Sequence, residues 1–128
     1  MKPLIIPSLG IFVIAKTGDR QKNVDSKYAA MWNWGKLTVI ADHSYQGFYK
    51  INRAAVGKTK AYLGTRAYLC DVSEIGHIRI TDKGNRLYRA SWEAVYGAWA
   101  DGLCLYTCIE MSASDIMDVR LTHWRALT

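Results

Sequence analysis

Three kinds of side chain in this sequence could carry nucleophilic chemistry if the fold brings them together: a thiol, an imidazole and a guanidinium. A thiol nucleophile needs a cation or imidazolium nearby to favour the thiolate, and substrate must be able to reach it. Cys108 follows the apolar run LCLYT and precedes a polar stretch, whereas Cys70 and Cys104 lie among apolar neighbours inside strand-like segments. His43 ends the run KLTVIAD, and Arg120 opens the last β-patterned segment; His77 and His123 lie inside such segments and are weaker candidates. Each also has an ordinary explanation. Unpaired cysteine is among the most buried residue types, a strand-end histidine commonly serves a turn, and an exposed arginine contributes little energy.

Spacing narrows the alternatives. Three cysteines are an odd number, so any disulfide scheme leaves one thiol over. On one strand Cys104 and Cys108 stand roughly 13 Å apart, about twice the span of a disulfide, and too far to share a zinc ion. Glu110, Asp115 and Asp118 are the acidic oxygens near Cys108, and they follow no calcium-loop spacing.

The elements that must position these residues read mostly as strands. The apolar stretch Leu9 to Ala15 reads as the first, with Pro7 and Gly10 interrupting what would otherwise be a signal-length apolar segment. The polar stretch TGDRQKNVDS (17–26) reads as a surface loop, from which Asp25 or Ser26 caps a short helix through Ala29 to Trp32. Lys36 to Asp42 forms a strand that sets His43 at a strand–loop junction, followed by a helical turn or two between Tyr45 and Ala55. Lys58 to Leu63 and Arg66 to Val72 flank Gly64-Thr65, the glycine-first pair of a type II′ hairpin turn. The chain continues extended from Ile75 to Ile80, turns at 82–85, and offers Ser91 as the cap of a helix running to about Ala98. Leu103 to Thr107 and Val119 to Trp124 are the last strands, joined by the polar stretch Ser112 to Asp118. Seven or eight short strands with no βαβ run imply an all-β, antiparallel barrel.

With 128 residues, half of them apolar, the chain suits one domain, residues 1–128, around a single core rich in tryptophan and tyrosine. The net charge of +6 favours acidic partners. The basic residues are nevertheless scattered among apolar positions as on solvated faces, and no common nucleic-acid-binding motif is present, so nucleic acid is not expected as a partner. An apolar N-terminal stretch of about 13 residues is too short to span a bilayer as a helix.

Taken together, VIADH at 39–43, LYTC at 105–108 and DVRL at 118–121 resemble the sortase family of cysteine transpeptidases. In that family a histidine closes one strand, a Thr-Cys pair closes a later one and an arginine opens the next. The intervals, 65 residues from His43 to Cys108 and 12 from Cys108 to Arg120, fit that pattern. IPSLGIFV is similar to the family's first strand, GFYKINRA to the short helix after the histidine, and KTKAYLGTRAYLCDV to the central hairpin, so the resemblance covers Leu4 to Trp124. Asp42 stands where the family usually has glycine, Cys104 is unusual, and the chain is shorter than a typical sortase.

The resemblance implies a closed or nearly closed, antiparallel or mixed eight-stranded barrel with two or three short helices. It implies Cys108, His43 and Arg120 as catalytic residues and Thr107 as a substrate-binding one, with no metal or other cofactor. The implied partners are the sorting-signal peptide of a surface protein, of LPxTG type, and a cell-wall or pilin amine acceptor. Its implied place is the outer face of a bacterial envelope, with membrane association only through a segment outside this chain. The second reading is a barrel of the same fold that binds peptide or acidic polymer without turnover.

Overall fold

The computed structural model describes residues 1–43, 46–48, 50–79, 99–113 and 116–127, with the backbone alone at 77–79 and 110–113. Eight strands form a closed mixed barrel in the order β1-β2-β3-β4-β7-β8-β6-β5, as the resemblance implies. They are β1 (Lys2–Ile6), β2 (Ile11–Lys16), β3 (Ala29–Trp34), β4 (Lys36–Ala41), β5 (Lys60–Leu63), β6 (Arg66–Arg79), β7 (Asp101–Ala113) and β8 (Ile116–Leu127). Two pairings are parallel, β2 with β3 and β4 with β7; the other six are antiparallel. The barrel is therefore mixed rather than purely antiparallel. The helix α1 (Arg20–Val24) and 3₁₀ turns at Pro7–Leu9 and Ile51–Arg53 are the helical elements among the described residues, and none is long and apolar enough to cross a membrane.

Four local expectations are corrected. The N-terminal apolar stretch is two strands, because Pro7 cannot donate to a ladder and opens a 3₁₀ turn that ends at Gly10. Residues 17–26 are not simply loop: Asp19 caps α1, its side chain accepting from the Lys22 amide at 3.1 Å. The helix expected through Ala29 to Trp32 is instead strand β3, laddered to β4 from Ala30↔Ala41 to Trp34↔Leu37. Its period of two was hidden because both of its faces are apolar and buried. Of the stretch 112–118, residues 112–113 belong to β7 and 116–118 to β8. The turn at Gly64-Thr65 is as read, with Leu63↔Arg66 closing it and Gly64 at φ 59. The helix expected at 91–98 lies outside the described residues.

The strands bury two apolar layers. Inside the barrel, Leu4, Ile6, Ile11, Ile40, Phe48, Ile51, Leu103, Leu105 and Trp124 make up most of the core. Outside it, across β3, β4, β7 and β8, a second cluster joins Trp32, Val39, Ala41, Cys104, Tyr106, Val119 and Leu121 to Val24 of α1, with Trp99 and Cys108 at its margin. The shared wall is apolar on both faces, as a strand covered on both sides requires.

Gly102 holds the start of β7 against β8. Its φ is 89, and a Cβ there would meet the Trp124 carbonyl oxygen at 2.5 Å and His123 Nε2 at 3.0 Å. Gly64 has a similar φ of 59 but open space around it, with Lys2 Cδ at 3.8 Å. We expect Gly64→Ala to cost about 1 kcal/mol, for the left-handed conformation alone. Gly102→Ala should cost at least about 2 kcal/mol more, because backbone stands in the way. The midpoints of urea unfolding measure both.

Candidate active site

The site is built from the β4–β7 register. The two strands run parallel with Lys36↔Asp101 through Ala41↔Tyr106 in step. The Asp42 amide extends the ladder, donating to the Tyr106 carbonyl at 3.3 Å, and Thr107 Oγ1 donates back to the Asp42 carbonyl at 2.8 Å. Carried one residue further, the register sets His43 beside Cys108. Alternation puts both on the outer face, because Leu37, Val39 and Ala41 of β4 and Cys104 and Tyr106 of β7 all belong to the outer cluster.

His43 is held from outside the barrel. Its Nε2 lies 3.0 Å from Asp25 Oδ1, with the imidazole largely covered and the carboxylate half exposed. Asp25 is the C-terminal cap of α1. Reading the sequence by spacing missed this partner, because Asp25 and His43 are distant in sequence and the polar stretch 17–26 carries almost no apolar periodicity. A carboxylate on one ring nitrogen fixes the tautomer and the orientation of the ring.

Asp42 faces the other way. Its Oδ1 accepts from the His43 amide at 2.8 Å and from Gln46 Nε2 at 3.1 Å, so it fixes the backbone of His43 rather than its ring. The carboxyl is buried, and Oδ2 has no hydrogen-bond partner among the described residues. Burial pushes its pKa up from 3.8 to about 7, while the nearby amides of His43 and Gly47 draw it down.

The three thiols differ in exposure. Cys70 and Cys104 are buried, Cys108 is half-buried, and none is in a disulfide. Burial pushes Cys70 up to about 11 and Cys104 higher still, so neither forms thiolate near neutral pH. Cys108 does not close its strand as the sequence suggested: β7 runs on to Ala113, and a bulge follows the thiol, between Cys108 and Glu110. Bulges of this kind re-aim side chains beside functional sites.

Arg120 is not brought to the thiol. It lies inside β8 rather than opening it, and it pairs with Thr107, while Cys108 pairs with Val119. Directly paired residues share a face, so the guanidinium leaves the sheet on the inner side, where Nη1 reaches Ser73 Oγ at 3.4 Å. Its Nε is buried without a hydrogen-bond partner among the described residues. Thr107 is buried on that same side. His123 is structural: it contacts Asp71 Oδ2 at 3.3 Å and the Asp101 carbonyl at 2.7 Å, and stacks on Trp99. The backbone of His77 is in β6, but its side chain lies outside the described residues. Among the described residues no three His, Cys, Asp or Glu side chains are grouped to hold a metal ion.

No model of a known family matches the chain, and no curated protein matches it by sequence. Solved structures do match. Sortase C1 of Streptococcus agalactiae superposes with a TM-score of 0.65 at 15% identity, over 99% of this chain and 66% of that one. Sortase A from Corynebacterium diphtheriae, as a lid mutant, gives 0.63 at 12% identity over 100% and 71%. The chain has the sortase fold. Sortase E1 from Streptomyces coelicolor, solved with a tripeptide in its active site, gives 0.61 at 15% identity over 98% of this chain and 89% of that one. The chain thus spans about two thirds of the length of the first of these sortases, and identities this low carry the fold alone.

Two outcomes follow from this geometry. A mild thiol electrophile near pH 7 should label Cys108 well ahead of Cys70 and Cys104, read by mass spectrometry of the digested native protein. Asp42 should tilt stability with pH. Its folded pKa is raised, so the folded state binds the proton more tightly, and its contribution falls as pH rises from about 4 to about 7. Asp42→Asn should flatten that fall, and melting temperatures at pH 5 and pH 8 measure it.

Proposed function

We propose that residues 1–128 form one catalytic domain, a cysteine transpeptidase of sortase type in which Cys108 is the nucleophile and His43 its acid and base. The observation that carries this reading is the parallel β4–β7 register, which aligns a half-buried thiol with an imidazole already held by a carboxylate. Cys108 as thiolate attacks a backbone carbonyl of a sorting-signal peptide, forming a C–S bond. The tetrahedral intermediate expels the C-terminal fragment as an amine, and the imidazolium of His43 gives that nitrogen its proton. An acceptor amine then attacks the thioester, neutral His43 takes its proton, and Cys108 leaves as thiolate. Hydrolysis is the same sequence with water as acceptor. No step requires a metal or organic cofactor.

Thr107 closes the strand pair beneath the thiol and supports substrate through the backbone it fixes. The resemblance makes Arg120 the cation on the substrate. In this structure it lies across the sheet from Cys108, on Ser73. The surface proteins and amine acceptors of a bacterial envelope are the proposed partners, met at its outer face.

The test is incubation with a panel of LPxTG-like peptides and an oligoglycine or lysine-bearing acceptor, read by mass spectrometry. Ligated or hydrolysed peptide is expected, lost in Cys108→Ala and reduced about 100-fold or more in His43→Ala, with Cys104→Ala active. Peptide binding without any product, together with an unlabelled Cys108, would establish the non-catalytic binding barrel instead.

A further inference from the structure

The outer face that holds Cys108 and His43 needs a positive charge, and α1 supplies one. Arg20 is the first residue of α1, and its guanidinium lies over the Trp32 ring, 4.2 Å from the centroid. Trp32 in turn meets Tyr106 edge to face, with centroids 6.0 Å apart. Tyr106 is the outer-face residue two positions before Cys108 on β7. Burial above all, and then Cys104, push the Tyr106 phenol well above its ordinary range; the charge of Arg20 draws it down and that of Cys108 adds a smaller push upward. Arg20 thus reaches the buried phenol beside Cys108 through the Trp32 ring. At the other end of the same helix Asp25 holds His43.

We propose that Arg20, rather than Arg120, is the cation of this site, a positioning residue that supports Cys108 as thiolate and the negative charge that develops beside it. The inference rests on the transpeptidase reading above. The charged and titratable groups on this face can be named. Arg20 and Asp25 come from α1, His43 from the end of β4, Cys104 and Tyr106 from β7, and Glu74 from β6, where it pairs with Leu121 and acts on Cys104, while β3 adds Ala30 and Trp32. β8 presents Met117, Val119 and Leu121 there, with His123 further along against Asp101. Among these groups Arg20 is the permanent cation. Stacking on an indole suits a planar, weakly hydrated guanidinium and holds it in place.

The experiment is the rate of Cys108 alkylation by iodoacetamide against pH, in the wild-type chain, Arg20→Gln, Arg20→Lys and Arg120→Gln. Silence of buried Cys104 in each variant reports that it is folded. The expected result is a wild-type midpoint below the ordinary thiol value of about 8.5, raised by about one pH unit in Arg20→Gln and unchanged in Arg120→Gln. Arg20→Lys, which keeps the charge, should stay close to wild type and serves if the glutamine variant does not fold. A midpoint unmoved in Arg20→Gln, raised equally in Arg20→Lys, or moved by Arg120→Gln overturns the proposal. An ordinary wild-type midpoint overturns it together with the transpeptidase reading. A lowered midpoint that depends on Arg20, with no peptide ligated or hydrolysed, leaves Arg20 as the cation and removes the transpeptidase.

Discussion

The parallel pairing of β4 with β7 is the constraint on which the rest depends. Parallel neighbours cannot be joined by a tight turn, so the chain leaves β4 at Ala41 and returns at Asp101 after building β5 and β6 on the far side of the barrel. In return, the end of β4 comes level with Tyr106, two residues before the thiol on β7. That is how residues 65 positions apart become neighbours: Thr107 bonds the Asp42 carbonyl, and the next pair in step is His43 and Cys108.

The second constraint is that the wall formed by β3, β4, β7 and β8 has no polar side. One face belongs to the barrel core and the other to the cluster under α1. Residue parity then separates two chemistries at one mouth. Inside are buried Asp42 and Thr107, bonded to one another through the Asp42 carbonyl, and half-buried Arg120 on Ser73, with Asp42 securing the backbone of His43. Outside are His43 and Cys108, and beside them a five-residue helix packed on β3, whose ends bring Asp25 to His43 and Arg20 over Trp32. A carboxyl kept inside at the expense of its ionisation is a cost in stability borne for the geometry of the loop that follows β4.

Much of this was legible in the sequence. The β-branched run into His43, the Gly64-Thr65 hairpin and the apolar run through Cys104 each state a strand by local chemistry, and the VIADH, LYTC and DVRL elements pointed to the barrel as a whole. β3 was not legible, because burial of both its faces removes the alternation that marks a strand. Neither was α1, whose apolar content is a single valine and whose stability comes from the Asp19 cap and from Asn23 bonding the carbonyls of Lys16 and Thr17. With α1 invisible, its two functional-face residues were invisible as well. The placement of Arg120 escaped for a different reason, since spacing along a chain does not reveal register across a hairpin.

That register decides which arginine can serve the thiol. Up to Cys108 the β7–β8 ladder pairs Thr107 with Arg120 and Cys108 with Val119; beyond the bulge it pairs Glu110 with Asp118 and Met111 with Met117. Extended back along β7, the outer register would place Cys108 opposite Arg120, so moving the bulge ahead of the thiol would join the two. It would not assemble the site. The faces of β8 are anchored by Trp124 inside and Leu121 outside, so a thiol paired with Arg120 would turn inward and leave His43. In this register the thiol shares its face with the imidazole and not with Arg120. With the β4–β7 ladder holding the thiol beside His43, a cation has to come from an element packed over the outer face, and α1 is the one that carries it.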